Sequence, residues 1–344
     1  MSGQTASLVR AAWYRETGPA SSVLEVGDLP DGMIGTPGPG DVALRIHASG
    51  INPADVKRRA GWGGLSMTHE LIVPHADGAG VIEAVGESVT GFEPGDRVWM
   101  RNAQGGYGEA GRAYGTAAER ICLPAEQVFK LPSSLDFAAG ACLGIPALTA
   151  YDAVFADGSV GGKTVLVTGA AGAVGHFAAQ FALSAGARVI ATVSDAEKAA
   201  HVQSCGVDDI IMRHDEDVVA RVLDLTDGRG VDRVVEVDFG ANLEATRRLL
   251  KPHSVVAAYS STAVPEPVLP YYDFAFCGAT LRFVQGFLLT PDVLSNATTF
   301  IDGLAETGKL QVAIAARFPL ERIAEAHEMV EGGTAIGNVV IEVP

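Results

Sequence analysis

Apolar and polar positions along this chain follow two rhythms. Through the first 130 residues the apolar runs are short, alternate with polar residues and are interrupted by Gly and Pro. Asp41–His47 (D-V-A-L-R-I-H) has the alternation of a half-buried strand. Gly80–Val85 and Asp96–Met100 predict two more strands, with Glu93-Pro94-Gly95-Asp96 as the turn between them. The Thr36–Asp41 run (T-P-G-P-G-D) reads as a turn or exposed loop. The expectation here is strands and turns rather than helices.

Leu135–Ala156 then brings long Ala-rich apolar stretches of helical character, and from Gly162 strands and helices alternate. Lys163–Thr168 predicts a strand and Gly175–Ala185 a helix ended by Gly186. Ala187–Val193 follows as a strand, Ala196–Ser204 as a helix closed by Gly206, and Val207–Met212 as a strand. Glu216–Thr226, Val231–Val237, Leu243–Leu250 and Ser254–Ala258 continue the alternation. Strands spaced by helices of this size need right-handed crossovers and give a doubly wound parallel sheet. Helices over Thr290–Thr307 and Leu320–Gly332 and a strand over Asn338–Glu342 complete the chain. That last segment is expected to rejoin the first part.

Composition narrows the function classes. The chain has 344 residues, enough for two domains, with 48% hydrophobic and 19% charged residues, as in a compact globular protein. A formal net charge of −16 argues against a nucleic-acid or anionic-membrane surface. Met1–Arg10 lacks a basic segment followed by an apolar one, and no apolar stretch approaches the roughly 20 residues a membrane span needs. Cys122, Cys142, Cys205 and Cys277 are widely spaced and form no C-x-x-C pair, so buried free thiols in a reducing cytoplasm are expected.

The most specific motif is Val165-Leu-Val-Thr-Gly-Ala-Ala-Gly-Ala-Val-Gly175. A buried strand runs into Gly169-x-x-Gly172-x-x-Gly175 and an apolar helix begins at once. Gly169, Ala170, Gly172, Ala173 and Val174 would let the backbone approach a pyrophosphate over the helix N-terminus, and Gly175 would let the helix pack on the sheet. The next strand selects the nucleotide. An NAD site usually ends it with a carboxylate, whereas here Val193 and Ser194 stand at its end and Lys198 follows. Arg213, closing the third strand, is placed to join them around a 2′-phosphate, which favours NADPH. Asp195 is the contrary feature, and Lys198 also reads as a solvated helix charge.

In this order the elements resemble the medium-chain dehydrogenase/reductase superfamily, and within it the zeta-crystallin-like quinone oxidoreductases. The resemblance covers nearly the whole chain. It rests on Gly50-Ile-Asn-Pro-Ala-Asp55 with Lys57 and Arg59, Asp77-Gly-Ala-Gly-Val-Ile-Glu-Ala-Val-Gly86, and Pro94-Gly-Asp-Arg-Val98. Gly115-Thr-Ala-Ala-Glu119, Gly144-Ile-Pro-Ala-Leu-Thr-Ala-Tyr151 and the glycine-rich turn extend it. It implies an α/β protein with a GroES-like β-rich catalytic domain (1–133 with 285–344), a Rossmann domain (134–284), and an active-site cleft at their junction. A homodimer or homotetramer is the expected assembly. The zinc-ligand places of related enzymes fall on Asn52, Ala76 and Ile145, which cannot form a zinc site. His75 beside them reads as a hydrogen-bonded structural residue.

Without zinc the resemblance implies NADPH-dependent hydride transfer to a quinone or another conjugated carbonyl compound, whose charge spreads over the π-system. It places Asn52 near nicotinamide and substrate. Lys57 and Trp62 stand at or near places that often carry tyrosine. Lys57 would stabilise an anionic product or pair with Asp55, and Trp62 would stack on a flat substrate or simply pack. Thr149, and Tyr259 with Ser260 and Ser261, resemble cofactor-contact positions. Ala103–Tyr114 reads as a lid or a surface excursion. The alternatives are an enal, enone or enoyl-thioester reductase, and a catalytically weak NADPH-binding structural or regulatory protein. Neither the Tyr-x-x-x-Lys of short-chain reductases nor a G-x-S-x-G nucleophile elbow is present.

Overall fold

The computed structural model describes residues 8–33, 35–105 and 111–344. They form two units, Met1–Ile145 with Asp302–Pro344, and Pro146–Ile301.

The first unit is built on the Asp41–Ile51 strand, whose side chains Val42, Leu44 and Ile46 are fully buried. It pairs antiparallel with Asp77–Val85, Arg120–Pro124 and the C-terminal strand Asn338–Glu342. Arg97–Met100 and Val128–Lys130 extend one side of the sheet, and Ile314–Pro319 ends the other. Leu8–Trp13 and Glu25–Pro30 form a separate hairpin. Val9, Val42, Leu44, Ile82, Val98, Leu123, Val339 and Ile341 share one core, and each such side chain contributes about 1.5–3 kcal/mol by leaving water.

Besides the single turn Ala20–Val23, the strand expectation for this region missed the helix Pro53–Ala60. Proline at its start suits a first helical turn, Asp55 lies near the positive end of the dipole, and Lys57, Arg58 and Arg59 lie near the negative end. Gly61 ends it at φ 72°. Eight residues with three adjacent basic side chains carry too little apolar periodicity to show above the surrounding turns.

In the second unit six parallel strands lie in the order 3-2-1-4-5-6 counted along the chain. They are Thr164–Val167, Arg188–Val193, Asp209–Met212, Val231–Glu236, Leu250–Ala258 and Thr280–Phe283. Their near-continuous apolar runs reflect burial on both faces. Asp195 and Asp217 cap the following helices by accepting N–H groups of Lys198, and of Val219 and Ala220.

The units begin and end later than the boundaries expected at 133/134 and 284/285. Phe137–Gly140 belongs to the first unit because Gly140 lies against Leu131 and Ala79, and Gly50 has no room for a Cβ beneath the Ala141 carbonyl. The first part of Pro291–Glu306 belongs to the second, where Phe300 packs on Tyr151, Phe155 and Phe181. Among the described residues no helix is long and apolar enough to cross a membrane. All four cysteines are free, but only Cys142 is buried; Cys122, Cys205 and Cys277 are half-buried.

Candidate active site

The glycine-rich turn follows the Thr164–Val167 strand, and Gly172 stands at the N-terminus of the Ala173–Ser184 helix. Gly169 turns the chain at φ 64°, and a Cβ on Gly175 would lie 2.3 Å from the Gly169 carbonyl oxygen, so only glycine permits this approach. The helix has no side-chain cap. Its first-turn N–H groups, on Ala173, Val174 and Gly175, lack intrahelical partners by helix geometry and form the positive end of the dipole. The turn is tied to the neighbouring strand: Gly169 N–H donates to Thr192 Oγ1 (3.2 Å) and Ala170 N–H to the Thr192 carbonyl (3.1 Å). These residues form a cradle suited to a pyrophosphate.

Ser194 and Lys198 meet just beyond the second strand. Lys198 Nζ donates to Ser194 Oγ at 2.8 Å and lies 3.5 Å from the Asp195 carboxylate. Asp195 is thus the helix cap as well as the counter-ion of Lys198, and these hydrogen bonds hold its carboxyl below the usual range. Arg213 joins by its backbone, donating N–H to the Val193 carbonyl (2.9 Å), and its side chain is exposed. Tyr259 and Ser260 follow the fifth strand at the same carboxyl edge, where Tyr259 N–H donates to the Glu236 carbonyl and Phe239 N–H to that of Ser260. Thr149 is buried in the first turn of Leu148–Phe155 and makes no hydrogen bond to the other candidates among the described residues.

Glu236 underlies this edge and had been missed. Its buried carboxylate accepts from Thr168 Oγ1 (3.0 Å), Asn242 Nδ2 (2.7 Å) and Asp238 N–H (2.7 Å), while burial pushes its pKa up. One acidic residue closing the apolar Val234-Val235 run was the available sequence signal.

In the first unit Asn52 is the residue before the Pro53–Ala60 helix and is 3% exposed. Its side-chain Nδ2 donates to Asp77 Oδ2 at 2.8 Å, and its backbone N–H to Asp55 Oδ2 at 2.8 Å. Asp77 Oδ2 also accepts Ile145 N–H at 2.7 Å, and the Ala76 N–H serves Asp55. The places of Asn52, Ala76 and Ile145 therefore converge on two buried carboxyls; the sequence suggested Asp55 only as a partner of Lys57 and gave Asp77 no role. Burial raises the Asp55 pKa to about 6 and that of Asp77 to about 7, with the Asp55 charge adding to the latter. Gly144 leaves the room: a Cβ there would lie 2.2 Å from Asp77 Oδ1, which is buried without a partner.

A directional polar chain runs beneath this pair. Thr116 Oγ1 donates to the Asp77 carbonyl (2.6 Å), which commits its proton. Ser49 Oγ, 2.7 Å away, must then donate to Thr116 and accept from His75 Nδ1 at 2.8 Å. His75 Nε2 in turn accepts from His327 Nε2 at 2.8 Å, leaving His327 Nδ1 bare, and that atom has no hydrogen-bond partner. Both rings are neutral in this arrangement. Burial lowers the His75 pKa to about 3 and that of His327 well below its ordinary value. His75 is thus a hydrogen-bonded structural residue.

Lys57 Nζ lies 4.7 Å from the centre of the Trp62 ring, a cation–π contact, and Trp62 is 39% exposed. Arg59 is fully buried and bonds the Gly18 carbonyl and the Glu331 carboxylate, an anchoring role. Part of the 103–114 loop, residues 106–110, lies outside the described residues. Its base is held by Arg112, which donates to the Ala103 and Asn102 carbonyls, and Tyr114 lines an open pocket with Arg15, Met67, His69 and Glu70.

Residues 38–133 match the alcohol dehydrogenase GroES-like domain family and residues 173–302 the zinc-binding dehydrogenase family. The chain is 31% identical over 306 residues to the quinone oxidoreductase of Homo sapiens, covering 87% of this chain and 88% of that one. It is 30% identical to a 2-haloacrylate reductase of a Burkholderia species over 97% of this chain and 98% of that one. A mycobacterial protein solved in complex with NADPH superposes with TM-score 0.83 at 27% identity, covering 97% of this chain and 99% of that one. With a GroES-like unit, a Rossmann unit and this glycine cradle, the chain belongs to the medium-chain dehydrogenase/reductase family, as an NAD(P)-binding oxidoreductase related to the quinone oxidoreductases.

Proposed function

We propose that this enzyme is a cytoplasmic NADPH-dependent reductase of quinones and related conjugated carbonyl compounds whose hydride step uses no zinc. The carrying observation is the donor set where zinc-containing relatives bind their metal: an Asn52 amide already bonded to Asp77, the Ala76 methyl, and an Ile145 whose N–H serves Asp77. Zinc takes thiolate, imidazole and carboxylate ligands in tetrahedral sets, and these residues do not fit it.

When bound, NADPH supplies a hydride from nicotinamide C4 to the conjugated acceptor. The Ala173–Gly175 N–H groups would hold its pyrophosphate, and Lys198, Ser194 and Arg213 its 2′-phosphate. Asn52 Nδ2 donates to Asp77, and the same side chain also hydrogen-bonds Asp55. On substrate binding its N–H would be shared with the oxygen on which charge develops, while the two buried carboxyls keep the amide from rotating. Lys57 and Trp62 would flank the acceptor as a cation and a flat apolar face. The proton completing the reduction would come from water.

The test is steady-state NADPH oxidation with 1,4-quinones and with 2-enals or 2-haloacrylates, before and after chelation. Higher kcat/KM on quinones, unchanged by the chelator, is expected. A clear preference for the carbon–carbon double bond would replace this substrate with that of the second reading, which the 2-haloacrylate reductase relative favours.

A homo-oligomer is part of the proposal. Thr280–Phe283 is a terminal strand of the six-stranded sheet, and Tyr271, Tyr272, Phe276 and Phe283 are exposed beside it. A second copy meeting this edge across a two-fold axis would pair the open backbone groups and cover the apolar side chains.

A further inference from the structure

The second unit holds a cluster of soft ligands that the proposed reaction does not use. His176 is the fourth residue of the Ala173–Ser184 helix, while His201 and Cys205 lie one turn apart at the end of Ala196–Ser204. His176 Nδ1 is 3.2 Å from His201 Nε2 and 3.6 Å from Cys205 Sγ, and all three ligand atoms lie within 4.8 Å of one another. Among the described residues this is the one group of three His, Cys, Asp or Glu side chains so arranged.

We propose that His176, His201 and Cys205 bind a borderline-soft divalent transition-metal ion of the zinc type, with water as fourth ligand. Bonds of about 2.0–2.1 Å to nitrogen and 2.3 Å to sulfur at tetrahedral angles put the nitrogens about 3.3 Å apart and nitrogen and sulfur about 3.6 Å apart. The two distances to His176 Nδ1 already have these values. Gln180 Nε2 lies 2.8 Å from His176 Nε2 and donates to the His176 carbonyl at 3.3 Å. Ligation through Nδ1 requires this amide to turn its oxygen toward Nε2–H, giving up the carbonyl bond for the contact that orients ligating histidines.

His176 is buried, but His201 and Cys205 are half-exposed, so an ion enters from solvent without opening the fold. The Cys205 thiol loses its proton to solvent as the metal–sulfur bond forms, so binding strengthens as pH rises. On the cofactor reading above, the ion would pin together the helix that opens at the pyrophosphate cradle and the helix that carries Lys198.

The test titrates the full-length, chelator-treated protein with Co²⁺ in the absence of NADPH, so that it does not depend on turnover. One equivalent is expected to produce thiolate-to-cobalt charge-transfer absorption, which Zn²⁺ displaces. Cys205→Ser should abolish the band, and His201→Gln should weaken Co²⁺ binding at least tenfold. Saturating Zn²⁺ should raise the Tm of the parent protein but not of Cys205→Ser. Absence of the band at one equivalent would overturn the proposal, as would its survival in Cys205→Ser, which would assign it to another cysteine.

Discussion

At the scale of single residues, the Asn52–Asp77 contact joins chemistry to stability. Asn52→Ala removes the amide proposed to face the developing oxyanion, so kcat/KM should fall by about 10²-fold while the NADPH Kd changes less than twofold. Parallel kinetics and cofactor titration check this, and an equal loss in both would make Asn52 a cofactor-site residue. Asp77 is read by pH. The unfolded chain releases its proton near 3.8 and the folded chain near 7. Its stabilising contribution is therefore complete below the first value and is lost as pH rises to the second. Asp77→Asn cannot titrate, so the stability gap between parent and variant should move by roughly 3–4 kcal/mol against the parent from pH 4 to 7. Urea unfolding across that range measures the gap, and a constant gap would refute the assignment. The histidines, whose lowered pKa values act in the opposite sense, are common to both proteins and cancel.

At the scale of elements, the proposed preference for NADPH rests on the Ala196–Ser204 helix. Its cap, Asp195, would repel a 2′-phosphate were it not engaged by the Lys198 N–H and ammonium. Lys198→Glu should lower kcat/KM for NADPH by about 10–100-fold and leave NADH turnover within a few-fold. Equal loss with both cofactors would show that Lys198 supports the helix rather than the phosphate. This helix was legible to the residue, since Asp caps it, Gly206 follows it and its apolar positions recur with helical period. The Pro53–Ala60 helix was not. It is short, and its fixed points are tertiary: Asp55 on the Asn52 and Ala76 N–H groups, and Arg59 on Gly18 and Glu331.

At the scale of the whole molecule, the exposed aromatic group beside Thr280–Phe283 predicts self-association. Phe276, 86% exposed, offers the least disruptive probe. Phe276→Asp should shift the protein toward monomer in sedimentation analysis with an unchanged circular dichroism spectrum. A parent protein already monomeric at micromolar concentration would dispose of the proposed interface.

The sequence by itself determined the doubly wound sheet, the glycine cradle and its strand–turn–helix setting. Those depend on local periodicity and on residues whose backbone freedom is intrinsic. The family resemblance also placed Asn52, Ala76 and Ile145 where zinc-containing relatives carry cysteine and histidine. Only tertiary structure decided what those places do instead. Asn52, Ala76 and Ile145 are brought to Asp55 and Asp77 by strands and a turn far apart in the chain, and a carboxyl reveals its altered proton affinity only once its burial and partners are known. The same holds for His176 with His201 and Cys205, which lie on different helices and meet because the parallel sheet sets those helices side by side.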